Sequence, residues 1–212
     1  VLAALNLREF DAAFRSWVGQ LIPALGEDAV VAIDGMTSRR STTKAAASPL
    51  HLVSAFAADV GLVLGQTATA EKSNEITAIP ELLATLALNG CVVTIDAMGT
   101  QTGIAKAIRE GGADYVLCVK DNHPKLVESF LLAQAGVGGT LTPNSTTESR
   151  EEGHGRTEVR RCWAFDAVGC LYRAEQWADL KSFAIVERER TVGTKTHCER
   201  RYYISSLPAD AK

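Results

Sequence analysis

The chain has 212 residues, 46% of them hydrophobic and 22% charged, enough apolar material for one sizeable globular core. Its formal net charge of −3 excludes a broadly basic nucleic-acid binder but leaves room for a local basic stripe. No apolar run approaches the ~18 residues of a membrane span and no secretory leader opens the sequence. A cytoplasmic protein without a membrane partner is therefore expected. The cysteines at 91, 118, 162, 170 and 198 form no C-x-x-C pair, so buried free thiols are expected rather than a zinc site.

Leu7, Phe10, Phe14, Trp17, Val18 and Leu21 recur at helical spacing and predict an amphipathic helix that Pro23 and Gly26 end. The β-branched run over 29–34 predicts a strand, and "GMTSRRSTTKAAASP" reads as a polar loop. "LHLVSAFA" and "LVLGQTATAE", separated by Asp59-Val60-Gly61, predict a β-hairpin. "ITAIPELLATLALNG" predicts a helix with Pro80 in its first turn and Asn89-Gly90 as its stop. "CVVTID" and "DYVLCVK" are continuous apolar runs joined through the helical "TGIAKAIRE", the pattern of a parallel βαβ unit.

After Asn122 a helix over about 123–135 is expected, and then a flexible polar connection, "AGVGGTLTPNSTT". The last third holds "TEVRRCWAF", "FAIVERERTV" and "CERRYYISSL", the latter two forming a hairpin near Gly193. The fold class is α/β, a mixed sheet flanked by helices with a β-rich C-terminal part. Residues 1–26 are expected to lead into the core as a helix, 27–136 to form the α/β core, and 137–212 to form the connection and a β-rich continuation.

Asp34 and Asp96 each close an apolar run and precede a small residue. Ligands of open α/β sheets collect at the carboxyl ends of strands. Two carboxylates aimed at one spot repel each other unless a cation joins them. Mg²⁺ suits one or two carboxylates plus substrate phosphates, and paired ions clamp the attacking and leaving oxygens of phosphoryl transfer. Asp96 has an alternative role as the N-cap of the helix after it, which fits Asp34 poorly.

Glu75, in "EKSNE", is a candidate further carboxylate or a helix cap. Lys120 ends a strand at the same sheet edge as Asp96, and Arg39, Arg40 and Lys44 follow Asp34. All four suit DNA phosphates, since counterion release makes basic clusters the source of non-specific affinity. In "ESREEGHGRTEVRR" the balance of arginine and glutamate suits a self-paired surface as well as a DNA groove. Glu158 there, preceded by His154 and Arg156, is a candidate stand-in for a third carboxylate. His51 reads as a hydrogen-bonded sheet histidine.

Taken together, "AIDG" with "RRS", "LHLVSAFA", "LVLGQ", "EKSNEITAIPELL", "VVTIDAMG", "ADYVLCVKDN", "HGRTEVRR" and "RYYISSL" cover nearly the whole chain in order. The sequence resembles DDE transposases of bacterial insertion sequences, in the branch that includes H-repeat-associated proteins. The resemblance implies a ribonuclease H-like core with Asp34 and Asp96 as the first two acids of a metal-binding triad. It also implies two Mg²⁺ (or Mn²⁺) ions in the complete enzyme, double-stranded DNA at element terminal repeats and target DNA as substrates, and a homo-oligomer.

The triad's third acid in such proteins is a glutamate on a helix after the "YYISSL" strand, and this sequence ends at Lys212 before any such stretch. The expectation is a catalytic-domain fragment that binds metal weakly and is inactive alone. Met36 stands where the family usually has lysine, and Asp121 and His123 where small and amide residues are commoner. The alternative is a catalytically dead DNA-binding or structural remnant. Other phosphoryl-transfer α/β enzymes are disfavoured, because G-x-x-x-x-G-K-[ST], G-x-G-x-x-G and G-x-S-x-G are all absent.

Overall fold

The computed structural model describes residues 6–21, 28–38, 49–69, 75–135, 141–153, 155–166 and 168–211. The chain divides into two compact units, Val1–Ile95 with Lys106–Asp114, and Asp96–Ala105 with Tyr115–Lys212. Among the described residues no helix is long and apolar enough to cross a membrane.

In the first unit the helix α1 (Leu7–Leu21) forms as its periodicity predicts, with Val18 buried and Phe10 and Trp17 about half exposed. The strands β1 (Val30–Ser38), β2 (Leu50–Ala57) and β3 (Leu62–Thr69) make an antiparallel meander. Gly61, in the β2–β3 turn, has φ 65, a left-handed value open to glycine at no steric cost. The strand β4 (Val92–Ile95) lies parallel to β1, so the order is β3-β2-β1-β4. His51 on β2 meets the Thr37 hydroxyl of β1 through Nδ1 at 2.8 Å, the sheet role expected of it.

Two expectations need correction here. β1 does not stop at Asp34 but runs on to Ser38, because β2 keeps pairing with it as far as Ser38↔Leu50. The helix α2 spans Glu75–Leu83, so Pro80 lies well inside it and the stop comes before Asn89. Proline removes a helical N–H. The Thr85 and Leu86 amides then bond to Leu82 and Leu83, a tightened i−3 pattern that closes the helix early. The helix α3 (Thr102–Glu110) is followed by Gly112 at φ 76, and the Arg109 guanidinium there binds Asp114 and the Ala113 carbonyl. β5 (Asp114–Val119) opens on Asp114, whose amide donates to the Cys91 oxygen at 2.9 Å.

In the second unit β5 pairs antiparallel with β9 (Lys195–Ser205), which continues through β8 (Ser182–Val192) and β7 (Arg156–Phe165) to β6 (Ser145–Gly153). The β8–β9 hairpin turns at Gly193, φ 59, as expected. The helix α4 (Pro124–Ala135) contributes the fully buried Phe130, stacked on Tyr202 at 5.1 Å and edge-on to Phe183 at 5.3 Å. Of the five thiols, all free, Cys91 and Cys118 are buried as expected, whereas Cys170 and Cys198 are exposed.

β6 is a further correction, since 145–147 were expected in the flexible connection and no strand was expected before 157. Its sequence, STTESREEG, has no apolar alternation, and nearly every residue is exposed. Opposite charges across the strands accompany the pairing: Arg161 with Glu148 at 2.7 Å and Arg160 with Glu151 at 3.1 Å. The lattice continues inward, where the Arg160 and Arg188 guanidiniums grip the buried Glu158 and Arg200 grips Glu187 at 2.8 Å.

Hydrogen bonds from Arg188, Arg200 and Arg201 hold the Glu158, Glu187 and Glu199 carboxyls, respectively, below the ordinary range. A depressed carboxyl contributes stability that is present above its unfolded value, about 4.3 for glutamate, and is lost as pH falls through the folded value. Urea midpoints should therefore drop on acidification below about pH 4. In Glu158→Gln the midpoint should be lower at neutral pH and the acid drop smaller. An unchanged acid drop would show that Glu158 carries no such linkage.

Candidate active site

The parallel pairing of β1 and β4 runs Val30↔Val92, Val31↔Val93, Ala32↔Thr94 and Ile33↔Ile95. Its last pair is buried, and each isoleucine is followed in the chain by an aspartate, Asp34 or Asp96. Side chains alternate along a strand, so Asp34 leaves the buried face that Val31 and Ile33 occupy and is exposed.

Gly35 follows Asp34, and a methyl group there would stand 2.5 Å from the Glu75 carboxyl carbon. A side chain there would push that carboxylate aside. Glu75 opens α2 and is 6% exposed, at a helix start that favours negative charge. The candidate carboxylate thus lies directly against the residue after Asp34.

In the second unit Asp96 is exposed, with φ −69 and ψ 173. Its Oδ1 accepts the amides of Met98 at 3.1 Å and Gly99 at 3.5 Å. Asp96 is therefore a cap, but of a single 3₁₀ turn, Ala97–Gly99, ahead of α3. Capping does not consume the carboxylate, since both described bonds fall on one oxygen.

The loop after Asp96 is pinned from several sides. Thr100 is fully buried, its hydroxyl 2.5 Å from the Cys118 oxygen and 3.2 Å from the Asp96 oxygen. Asn122 donates from Nδ2 to the Ala97 oxygen at 2.6 Å. His123 lies 2.7 Å from the Thr100 oxygen through Nε2, which must carry the proton because a carbonyl only accepts. Its ring meets Trp177 edge-on at 5.7 Å. The turn after β5 thus clamps the turn after β4. Reading the sequence missed Thr100, Asn122 and His123 in this part; polar residues just past two successive strand ends were the available signal.

Lys120 is exposed and directly follows β5, its oxygen accepting the His123 amide. Arg156 is exposed at the start of β7. Both Glu158 oxygens are engaged by arginine, Oε1 by Arg160 and Oε2 by Arg188. That role is the compensation of buried charge. Arg39, Arg40, Lys44 and His154 lie outside the described residues. Among the described residues no three His, Cys, Asp or Glu side chains gather to hold a metal ion. Asp34, Glu75 and Asp96 offer carboxylate oxygens alone, a donor set that fits a hard cation such as Mg²⁺ or Mn²⁺.

Residues 25–191 match the family described as the transposase DDE domain, and the chain belongs to that family, in its H-repeat-associated branch. It is 37% identical over 215 residues to the "Uncharacterized protein in dhlA 3'region" of Xanthobacter autotrophicus, covering 99% of this chain and 71% of that one. It is 37% identical over 218 residues to the putative transposase YncI of Escherichia coli O157:H7, covering 100% and 55%. The H repeat-associated putative transposase YhhI of E. coli K12 is 34% identical, with 100% and 57% covered. The chain thus spans a little over half the length of these E. coli relatives. A solved piggyBac transposase synaptic complex with hairpin DNA overlaps 88% of this chain and 35% of its own, at 12% identity and a TM-score of 0.44, a likeness too slight to argue from.

Replacing Thr100 by valine keeps the shape but leaves the Cys118 oxygen without its donor. The expected loss is about 1–3 kcal/mol in urea unfolding. Amide exchange at Met98 and Gly99 should be faster, since the turn they cap on Asp96 loses its support. Exchange at the wild-type rate would mean that Thr100 does not hold that turn.

Proposed function

We propose that the chain is the catalytic part of a transposase that cuts and rejoins phosphodiesters at the ends of an insertion sequence, with Asp34 and Asp96 as its divalent-metal ligands. The observation that carries this reading is the β1–β4 register, whose last pair, Ile33↔Ile95, stands one residue before each aspartate. A ribonuclease H-like core is part of the proposal. It is supported by the antiparallel meander with a further strand laid parallel to its first member. So is the organisation into a leading helix (1–26), a core (27–136) and a β-rich continuation (137–212).

A bound pair of Mg²⁺ or Mn²⁺ ions would neutralise phosphate charge and make water a competent nucleophile at neutral pH. The remaining work falls to the chain itself. Asp34 presents an exposed carboxylate from a strand held on both sides. Asp96 is oriented through Oδ1 by two amides, which leaves Oδ2 to face a ligand. Thr100, Asn122 and His123 keep that turn from shifting. Glu75, seated over Gly35, is an auxiliary carboxylate beside Asp34.

Arg39, Arg40, Lys44 and Lys120 contact DNA phosphates, with Arg156 an outer member of the same surface. The substrates are double-stranded DNA at element terminal repeats and target DNA. The working form is a homo-oligomer in the cytoplasm. A second reading, a remnant that binds DNA without cutting it, is favoured by Met36, 56% exposed where the family places a cation.

Titration calorimetry with Mn²⁺ tests the assignment. Asp34→Asn and Asp96→Asn should each weaken binding at least about tenfold, the order of loss that follows removal of a ligand or its support. Neither should unfold the chain, both side chains being exposed. Wild-type Mn²⁺ affinity in Asp96→Asn would sink the assignment. A DNA mobility shift that persists in EDTA, with no Mg²⁺-dependent nicking by any longer form of the protein, would favour the remnant.

A further inference from the structure

The turn that clamps the Asp96 loop also forms a wall of something else. In the second unit a hollow of about 420 Å³ opens beside Asn122 and His123, with Lys125 from the first turn of α4 and Tyr172, Arg173 and Trp177 from the segment between β7 and β8. None of the side chains lining it is acidic. The Lys125 ammonium lies 5.1 Å from the centre of the Tyr172 ring and the Arg173 guanidinium carbon 5.2 Å from it. One aromatic ring therefore carries two cations. Among the described residues no carboxylate pairs with either, whereas the arginines of the β6–β9 sheet are mostly matched to glutamates.

The backbone adds to the case. Arg173 has φ 53 and ψ 40, a left-handed conformation in which a side chain as large as arginine is held at a cost. Such positions concentrate where a side chain must be aimed at a ligand. Two uncompensated cations held against one ring call for an anion. Phosphate is the anion that lysine as a point charge and arginine as a fork both suit. A volume of 420 Å³ exceeds what a bare phosphate needs and leaves space for the sugar and base attached to it.

We infer that this hollow is a phosphodiester subsite, in which Lys125 and Arg173 take a backbone phosphate of a nucleic-acid strand. His123 and Asn122, already bonded to the Asp96 loop, form the wall between that strand and the loop. The inference rests on the reading of the chain as a protein that acts on DNA, and it adds a contact that lies outside the loop after Asp34.

The test is fluorescence anisotropy with short labelled single- and double-stranded oligonucleotides in EDTA, across salt from about 0.05 to 0.2 M. Lys125→Gln with Arg173→Gln should weaken binding about tenfold or more near 0.1 M salt. It should also flatten the log–log salt slope by about 0.7 for single strands or 0.9 for duplex, as the loss of one neutralised phosphate requires. The charge-keeping pair Lys125→Arg with Arg173→Lys should stay near wild type. Lys106→Gln, on the exposed face of α3, should change nothing.

Wild-type affinity in the double glutamine variant at every salt overturns the inference. Sodium phosphate displacing the oligonucleotide at equal concentration would overturn the nucleic-acid assignment in favour of free phosphate. With EDTA present throughout, the result does not depend on Asp34 or Asp96. A chain that binds through the hollow yet never binds metal contradicts the catalytic reading alone.

Discussion

The parallel pairing of β1 with β4 sets the position of both aspartate-bearing strand ends. Val31, Ile33, Val93 and Ile95 are all buried within it, so apolar burial fixes the register on both strands at once. A slip of one residue would carry Asp34 into the place of Ile33, which is 3% exposed. An ionised carboxylate there would lose its hydration without gaining a partner. Burial of the isoleucines and exposure of the aspartates are therefore two consequences of the same register. Gly35 extends the effect, because the Glu75 carboxylate reaches β1 only where there is no side chain to meet it.

The second unit holds its parts by different means. Around Asp96 the forces are local and polar: a buried threonine hydroxyl bonds the Asp96 and Cys118 carbonyls, and an amide and an imidazole bond those of Ala97 and Thr100. Farther along the sheet, β6 and β7 are held by charge. Glu158 is tolerated in a buried position because two guanidiniums accompany it, and removing either would leave one of its oxygens without its charged donor. The aromatic cluster of Phe130, Phe165, Phe183 and Tyr202 supplies the apolar core beneath. The cations of the hollow near Tyr172 differ from the arginines of the sheet in having no such carboxylate among the described residues.

Much of the architecture could be read from residue pattern, because strands such as "VVTI" and "DYVLCV" and the helix of Leu7 to Leu21 bury apolar side chains at regular spacing. What escaped did so for physical reasons. β6 has no apolar alternation, and its match to β7 rests on charge pairs, Glu148 with Arg161 and Glu151 with Arg160, that carry no strand period of their own. The full length of β1 depends on β2, which begins only at Leu50. Asp34 and Asp96 stood out from sequence as charges at the ends of apolar runs. Thr100, Asn122 and His123 did not, since a threonine or an asparagine in a turn carries no sign of the carbonyl it will meet. Glu75 was legible as a carboxylate, but its place over Gly35 depends on the packing of α2 against the meander.

The most direct measurement is a crystal structure of the chain soaked in Mn²⁺, read by anomalous scattering. Asp34 and Asp96 acting as joint ligands predict an anomalous peak bound by both carboxylates, with the Asp96 contact made through Oδ2 while Oδ1 keeps its two amides. A peak bound elsewhere, or none at either aspartate at saturating Mn²⁺, would contradict that reading and reduce Asp96 to the cap of its own turn.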